Sequence, residues 1–242
     1  MNLVMVIEDE EAIATLLTYN LEKEGYKVKV VSNGLNAVSE VEKNKPSVII
    51  LDWMLPEISG VEICKLIRSK PEIKTIPVIM LTAKSQEEDK IKGLGAGADD
   101  YVTKPFSVPE LMARVKTNMR RAPLFEETDK FLQFEDIYMD LVERKVKRGD
   151  VYIHLSPTEF RLLKMLVKEP GKVFSREVLL KSVWGENIFV ESRTVDVHIR
   201  RLRSSLNKHG PDYIRTVRAN GYSIDKIENW KLKDIIHILN IR

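Results

Sequence analysis

Short apolar runs alternate with helical patterns along the first half of the chain. Five such runs cover residues 2–7, 27–31, 47–51, 77–81 and 99–103. The third run, from Val48 to Leu51, is apolar without interruption, which indicates a strand that is buried on both faces. Strands that alternate with helices at this spacing are typical of a parallel sheet covered on both sides. We therefore predict an α/β domain built on a doubly wound, five-stranded parallel sheet.

The second half begins with a different pattern. Between residues 131 and 153, short stretches alternate apolar and polar positions, which predicts an antiparallel sheet with one solvated face. The stretch Ser156-Pro157-Thr158-Glu159 is a capping box with proline at the first helical position, so a helix begins there. Two further helices are predicted over residues 175–184 and 193–206.

The last of these helices has two chemically different faces. At about 100° per residue, its inward positions are Val195, Ile199, Leu202 and Leu206. The opposite side carries Arg193, Val197, Arg200, Arg201 and Ser204. An exposed valine among arginines suits the major groove of DNA, where its methyl groups can meet thymine methyls. A solvated helix face is the alternative.

A hairpin is predicted after this helix, because Asn220-Gly221 is a strong turn signal between residues 213–218 and 222–225. Arg218 lies at the hairpin tip, where an arginine is placed to enter a minor groove. Arg215 and His198 are expected to contact phosphates. The small sheet, three helices and hairpin together predict an α+β winged-helix domain.

The stretch from Ala122 to Lys130 is polar and contains a proline, which is typical of a linker. We therefore place the first domain at residues 1–121, the linker at 122–130 and the second domain at 131–225. Residues 226–242 continue beyond it. Their apolar positions fall on one helical face, which predicts an added helix that caps the second domain, contacts a partner or frays in solution.

The chain has 242 residues, more than one core usually contains, which agrees with two domains. Its single cysteine, Cys64, cannot form an internal disulfide, and the charged content of 31% fits a reducing compartment. The apolar run from Leu3 to Ile7 is too short for a signal peptide or a membrane span. We therefore expect a soluble, cytoplasmic protein.

Charge is divided unevenly between the two halves. Residues 1–122 contain 17 Lys and Arg against 18 Asp and Glu, whereas residues 123–242 contain 22 against 18. Between Arg193 and Arg218 there are seven basic residues and two acidic ones. Such a local excess is expected of a surface that binds a polyanion.

Charged or hydroxyl side chains follow four of the apolar runs: Glu8 and Asp9, Asp52, Thr82, and Lys104. Open α/β sheets bind ligands outside the carboxyl ends of their strands, so we expect these side chains to meet in one crevice. Carboxylate oxygens suit Mg²⁺, and Asp52 needs nearby cations to remain ionised. For Glu8 and Asp9 the alternative is an acidic pair that stabilises the start of a helix.

Four motifs, in order, carry a resemblance to a known family. They are Val6-Ile7-Glu8-Asp9-Glu10, Asp52-Trp53-Met54-Leu55-Pro56 with Gly60, Leu81-Thr82-Ala83, and Asp99-Asp100-Tyr101-Val102-Thr103-Lys104-Pro105-Phe106. To about residue 225, the chain resembles a response regulator of the OmpR/PhoB family. The resemblance implies a flavodoxin-like receiver domain followed by a winged-helix domain. It also implies that a sensor histidine kinase phosphorylates Asp52, and the branch it looks most like controls phosphate-starvation genes.

The resemblance implies roles for single residues. The expected Mg²⁺ ligands are Glu8, Asp9, Asp52 and the backbone carbonyl of Met54. Thr82 and Lys104 would contact the phosphoryl group, and the Lys104–Pro105 peptide bond is expected to be cis. Tyr101 would turn inward when Thr82 moves toward the phosphoryl group. A tyrosine that is simply buried in its strand is the alternative.

Phosphorylation is expected to pair two molecules into a homodimer through opposite charges. The expected pairs are Lys90 with Glu110, Asp100 with Arg114, and Asp99 with Arg121. Such pairs are self-complementary under a two-fold axis. Ion pairs within one molecule are the alternative.

The dimer is expected to bind double-stranded promoter DNA. The residues expected at the DNA are Arg193, Thr194, Val197, His198, Arg200, Arg201, Ser204, Arg215 and Arg218. In relatives, the loop that follows residue 184 contacts RNA polymerase, often its sigma subunit, so Trp184, Glu186 and Glu177 are candidates for that contact. For Trp184, closing the domain core is the alternative.

Two other functions fit parts of the pattern. A constitutive DNA-binding protein would use its first domain as a scaffold and would need no phosphorylation. A magnesium-dependent phosphohydrolase would use Asp52 as its nucleophile, but such folds place a second aspartate two residues later, where this chain has Met54. We expect a phosphoacceptor regulator, with no enzymatic activity beyond its own phosphotransfer and autodephosphorylation.

Overall fold

The structure, a computed structural model, describes residues 2–83, 96–119, 130–185 and 193–226. The chain divides into two compact units, residues 1–123 and 124–242. The predicted linker and the predicted C-terminal helix lie almost entirely outside the described residues. Among the described residues, no helix has both the length and the apolar character needed to cross a membrane.

The first unit is built on a parallel sheet. Its strands are β1 (Leu3–Ile7), β2 (Lys27–Val31), β3 (Val48–Asp52), β4 (Val78–Thr82) and β5 (Asp100–Thr103). The strands lie in the order β2-β1-β3-β4-β5, and all neighbours are parallel. The five-stranded parallel sheet predicted from the sequence is confirmed. The strand order reverses between β1 and β3, and sheets of this kind bind ligands at the carboxyl ends of the strands at that point.

Helices follow these strands in the chain. Within the described residues they are α1 (Glu11–Lys23), α2 (Gly34–Asn44), α3 (Gly60–Ser69) and α4 (Val108–Met119). The residues from Val48 to Leu51 are fully buried, as the uninterrupted apolar run predicted. Helix α3 begins with a capping box, in which Ser59 and Glu62 satisfy each other's backbone N–H groups. This cap sets the residue at which α3 begins.

The second unit combines two small sheets with three described helices. Its strands are β6 (Phe131–Phe134), β7 (Ile137–Asp140), β8 (Lys145–Arg148), β9 (Val151–Ile153), β10 (Ile214–Val217) and β11 (Gly221–Ile224). Strands β6 to β9 form an antiparallel sheet, and β10 and β11 form a hairpin. The helices are α5 (Pro157–Lys168), α6 (Arg176–Trp184) and α7 (Arg193–Leu206). This arrangement is the winged-helix fold that the sequence predicted.

Gly221 explains how the hairpin joins the rest of the second unit. Val217 pairs with Gly221, so the turn consists of the three residues between them. Gly221 has a φ of 124°, and a Cβ atom there would lie 1.9 Å from the carbonyl oxygen of Phe174. Phe174 forms an antiparallel bridge with Tyr222. Glycine at this position therefore allows two backbones to approach closely, which a side chain would prevent.

Candidate functional site

Three carboxylates meet at the carboxyl edge of the parallel sheet. Glu8 and Asp9 directly follow β1, and Asp52 is the last residue of β3. Each offers one carboxylate oxygen to a group whose members lie within 4.8 Å of one another. Glu8 and Asp52 are buried, whereas Asp9 is exposed. The structure thus brings together the acidic residues that the sequence placed at strand ends.

Lys104 enters the same crevice from the neighbouring part of the sheet. Its Nζ lies 2.9 Å from Glu8 Oε2 and 3.3 Å from Asp52 Oδ2. Its backbone N–H donates to the carbonyl oxygen of Thr82 at 2.7 Å, which ties it to the end of β4. The Lys104–Pro105 peptide bond is cis, as the family resemblance implied. The ammonium group therefore lies beside the predicted phosphoacceptor.

The charges in this crevice perturb one another. Burial raises the pKa of Glu8, and the charge of Asp52 adds to that effect, against the hydrogen bond from Lys104. Burial alone would lower the pKa of Lys104, but the Glu8 hydrogen bond and the Asp52 charge outweigh it, so that this pKa is raised. Three carboxylates thus share the crevice with an ammonium group that stays charged. A hard divalent cation with oxygen ligands fits this donor set and would offset the carboxylate repulsion.

The loop after Asp52 is held closely against the start of α3. Gly60 N–H donates to the carbonyl oxygen of Trp53 at 3.0 Å. A Cβ atom on Gly60 would lie 2.0 Å from the carbonyl oxygen of Asp52, so a glycine is needed for this approach. Met54, whose carbonyl was predicted as a metal ligand, lies in this loop with its side chain exposed. Gly60 therefore helps to set the position of the Asp52 backbone.

The two predicted switch residues are both buried. Thr82 is the last residue of β4, and it pairs in register with Thr103 of β5. Tyr101, in the middle part of β5, has 8% of its surface exposed. A buried ring is expected under both interpretations of Tyr101, the switch residue that has turned inward and the tyrosine that is simply buried in its strand. The burial of Tyr101 therefore leaves both interpretations standing.

The predicted dimer residues that the structure describes make ion pairs within the chain. Arg114 Nη1 lies 2.7 Å from Asp100 Oδ1, and Arg114 Nη2 lies 2.6 Å from Glu110 Oε1. Burial alone would lower the pKa of Arg114, but Asp100 and Glu110 outweigh it and raise this pKa. Only 2% of the Arg114 surface is exposed. The Asp100–Arg114 pair is therefore an internal contact, and Lys90, the predicted partner of Glu110, lies outside the described residues.

Asp99 is also engaged internally. Its Oδ2 accepts from Arg68 Nη2 at 2.7 Å and from the Val78 backbone N–H at 3.0 Å. Asp99 is fully buried, so its side chain is not on a surface that a second molecule could reach. Its predicted partner, Arg121, lies outside the described residues. Arg68 could not be predicted as this partner, because a basic residue in the last turn of a helix is already explained by the helix dipole.

In the second unit, α7 presents most of the residues predicted to face DNA. Its predicted inward positions are all buried, which confirms the orientation of the helix. Arg193, Arg200 and Ser204 are exposed, and Val197 and Arg201 are half-buried. At the hairpin turn Arg218 is exposed as well. Arg215 is half-buried, with its Nη1 3.9 Å from Asp225 Oδ2.

Two residues of α7 do not lie where the sequence analysis placed them. Thr194 is buried, and His198 is fully buried with its ring 5.3 Å from that of Trp184. The expectation that His198 contacts phosphate is therefore wrong in this structure. The reason is that α7 contacts both α5 and α6, so its inward face is broader than one row of apolar residues. Trp184 is itself buried, which agrees with the alternative that it closes the core.

Sequence reasoning missed two arginines that attach α7 to its neighbours. Arg176 Nε lies 2.7 Å from Asp196 Oδ1, which also accepts from the Tyr222 hydroxyl at 2.7 Å. Burial and the Asp196 contact raise the pKa of Tyr222 to about 12. Arg203 donates to Thr216 Oγ1 at 2.9 Å, on the hairpin. Since these contacts join separate elements, no local sequence pattern indicates them.

Comparisons with known proteins agree with this two-part architecture. The family described as "Response regulator receiver domain" matches residues 4–116. The family described as "Transcriptional regulatory protein, C terminal" matches residues 149–224. The first match contains the carboxylate crevice, and the second contains α7 and the hairpin.

Similar proteins cover nearly the whole chain. The "Phosphate regulon transcriptional regulatory protein PhoB" of Rhizobium meliloti is 50% identical over 92% of this chain and 98% of its own length. The protein of the same name from Escherichia coli is 42% identical over 90% of this chain and 96% of its own length. A solved structure of a RitR mutant is 30% identical, with a TM-score of 0.71, and the match covers 93% of this chain and 99% of that chain.

Proposed function

The chain belongs to the OmpR/PhoB family of two-component response regulators, and on that premise we propose that phosphorylation of Asp52 controls its binding to promoter DNA. The observation that carries the proposal is the placement of Asp52 beside the Glu8 and Asp9 carboxylates and the Lys104 ammonium. A sensor histidine kinase would supply the phosphoryl group. A regulator of this kind works where the DNA is, in the cytoplasm.

The phosphoryl transfer is a displacement at phosphorus. An Asp52 carboxylate oxygen attacks the phosphorus of a phosphohistidine, so that a P–O bond forms as the P–N bond breaks, and the departing imidazole nitrogen takes up a proton. Lys104 pairs with one phosphoryl oxygen, and the Thr82 hydroxyl donates a hydrogen bond to another. These roles are supported by the position of both residues at strand ends beside Asp52.

Mg²⁺ is the metal we propose for this site, held by Glu8, Asp9, Asp52 and the Met54 carbonyl. Its donor set would be oxygen only, which is what Mg²⁺ prefers, with water completing the coordination. The bound ion would offset negative charge on the transferring group. The clustering of the three carboxylates supports this proposal, because beside the effect of burial the charge of Asp52 also raises the pKa of Glu8, and a cation would offset that repulsion.

Phosphorylation would then pair two molecules. We propose that Thr82 moves toward the phosphoryl group, that Tyr101 occupies the space it leaves, and that the surface near β5 and α4 becomes self-complementary. Glu110, which is half-buried, is the described residue we propose for contact with Lys90 of a second copy. The buried Asp100–Arg114 and Asp99–Arg68 pairs would support this surface from inside.

The second unit would bind DNA through α7 and the hairpin. Arg193, Arg200 and Ser204 are exposed for contacts with phosphate or base edges, with Val197 and Arg201 beside them. Arg218 would enter the minor groove. We propose phosphate-starvation genes as targets, because both relatives described above are named as transcriptional regulators of a phosphate regulon. RNA polymerase remains a proposed partner, with the exposed Glu177 as a described candidate contact.

The experiment that tests this proposal is intact-mass analysis of the protein after incubation with acetyl phosphate and Mg²⁺. We expect the mass of one phosphoryl group to be added to the wild-type protein and not to the Asp52→Asn variant. An unmodified wild-type protein would support the scaffold alternative. Continuous release of phosphate from a phosphate monoester, a substrate that does not phosphorylate Asp52 by acyl phosphate chemistry, would support a phosphohydrolase.

A further inference from the structure

The carboxylate of Glu159 has two different partners. Glu159 is the third residue of α5, and its Oε2 accepts from the Ser156 backbone N–H at 3.1 Å, which completes a capping box. Its other oxygen, Oε1, lies 2.9 Å from Arg201 Nε on α7. The two side chains are 5% and 19% exposed. One carboxylate thus caps α5 and binds an arginine of the helix that faces DNA.

The first unit contains a capping box that provides a reference. In it, Glu62 Oε2 accepts from both the backbone N–H and the hydroxyl of Ser59, at 3.1 and 2.7 Å, and Glu62 is exposed. Capping a helix therefore does not require a buried glutamate. Burying the Glu159 carboxylate costs solvation, which the contact with Arg201 compensates. This difference indicates that Glu159 has a role beyond the cap.

We infer that Glu159 is a positioning residue that orients the Arg201 guanidinium for reading a DNA base. This inference rests on the proposed function, in which Arg201 contacts DNA. A carboxylate that accepts from Nε fixes the plane of the guanidinium, and an arginine held in one plane can make a bidentate contact with guanine O6 and N7. Arginine has five N–H donors, so a carboxylate contact through Nε is compatible with a base contact by the same group.

Holding the Arg201 guanidinium in position before DNA binds should improve discrimination between DNA sequences more than it improves overall affinity. A free arginine loses rotamer freedom when it binds, and holding it in place beforehand is worth about threefold to tenfold in binding. A carboxylate near the DNA also repels phosphates. Loss of the carboxylate should therefore weaken binding to the preferred sequence while leaving binding to other sequences unchanged or slightly stronger.

Glu159→Gln separates this role from capping. Glutamine functions at this position of a capping box, so α5 keeps its cap. An amide has only one oxygen, however, so when that oxygen accepts from Ser156 N–H, the NH₂ group faces Arg201 Nε and places donor against donor. Glu62→Gln makes the same change in the other capping box and is the matched control.

The test is a fluorescence anisotropy titration of the full-length protein, with acetyl phosphate and Mg²⁺ present, at one salt concentration. The probes are a genomic fragment that the protein protects from nuclease and a shuffled fragment of equal length and composition. We expect Glu159→Gln to lower the ratio of the two affinities by about threefold to tenfold. Glu62→Gln should leave this ratio unchanged. The double variant with Glu159→Gln and Arg201→Ala should have the same ratio as Arg201→Ala alone.

Two results would overturn the inference, and they are distinguishable from failure of the proposed function. If Arg201→Ala lowers the ratio but Glu159→Gln does not, Arg201 reads DNA without help from Glu159. If Glu159→Gln lowers thermal stability and weakens both fragments equally, the contact is only structural. If Arg201→Ala itself leaves the ratio unchanged, the proposed role of Arg201 is wrong, and the inference fails with it.

Discussion

Replacing Arg114 by methionine tests whether the Asp100–Arg114 pair belongs to one molecule. Methionine keeps much of the length of the side chain but removes its charge and all of its donors. Asp100, which is 1% exposed, would keep the hydrogen bond from the Tyr101 backbone N–H at 2.8 Å and lose the guanidinium at 2.7 Å. The variant therefore removes the charge of the Arg114 guanidinium from a buried carboxylate.

The cost follows from burial. Removing one partner of a buried ion pair costs about 3–5 kcal/mol. For a unit of this size, each kcal/mol corresponds to about 4 °C in melting temperature, so we expect a fall of about 12–20 °C in the transition of the first unit. Lys70→Met is the control, since Lys70 and its partner Glu42 are each 39% exposed. An exposed pair contributes about 0–1 kcal/mol, so that melting temperature should fall by about 4 °C at most.

Differential scanning calorimetry of the full-length variants provides the measurement. Because the pair lies within one chain, the fall should be the same at low and high protein concentration. Adding Asp100→Asn to Arg114→Met should recover part of the loss, since the buried charge is removed. The internal pairing would be refuted, and a contact between molecules favoured, by either of two results. One is an Arg114→Met variant with the melting temperature of the wild-type protein, and the other is a fall in melting temperature that appears only at high protein concentration.

Two further predictions concern the phosphoacceptor crevice. Gly60→Ala places a Cβ atom 2.0 Å from the Asp52 carbonyl oxygen, so we expect a stability loss of about 1–3 kcal/mol and slower phosphorylation by acetyl phosphate. In Gly34→Ala the nearest atom is the Cγ2 methyl of Ile58, at 2.8 Å, and the nearest backbone atom is the Ile58 oxygen at 3.2 Å, so this control should be milder. Equal phosphorylation rates in the two variants would contradict the steric argument. Burial raises the pKa of Glu8. In metal-free buffer the wild-type protein should therefore gain stability as the pH falls from above this raised pKa to the ordinary pKa of a glutamate. Glu8→Gln should be more stable than the wild-type protein at neutral pH and should not show this gain. Urea unfolding at a series of pH values measures this, and parallel pH profiles for the two proteins would show that Glu8 is not the group responsible.

The residues of the phosphoacceptor crevice were predictable because one rule of sheet topology places them together. Parallel strands end at the same edge, so Glu8, Asp52 and Lys104 were expected to meet although they are far apart in the sequence. The inward face of α7 was predictable for a similar reason, since helical periodicity assigns Val195 and Leu202 to one side. Both predictions rest on the regular geometry of strands and helices, together with the preference of apolar residues for the core.

The internal ion pairs were not predictable, because they depend on how separate elements pack. Arg68 reaches Asp99 from α3, and Glu159 reaches Arg201 from α5. No periodic pattern links these positions. His198 was misplaced because its polar side chain suggested exposure, whereas its position between Val195 and Ile199 placed it inside.

The central claim is that the phosphoryl group on Asp52 strengthens DNA binding. The most direct measurement is the dissociation constant of the full-length protein for one protected genomic fragment, at fixed salt, before and after treatment with acetyl phosphate and Mg²⁺. We predict tighter binding after treatment for the wild-type protein and no change for Asp52→Asn. Equal affinities for the treated and untreated wild-type protein, with phosphorylation verified by mass, would contradict the account.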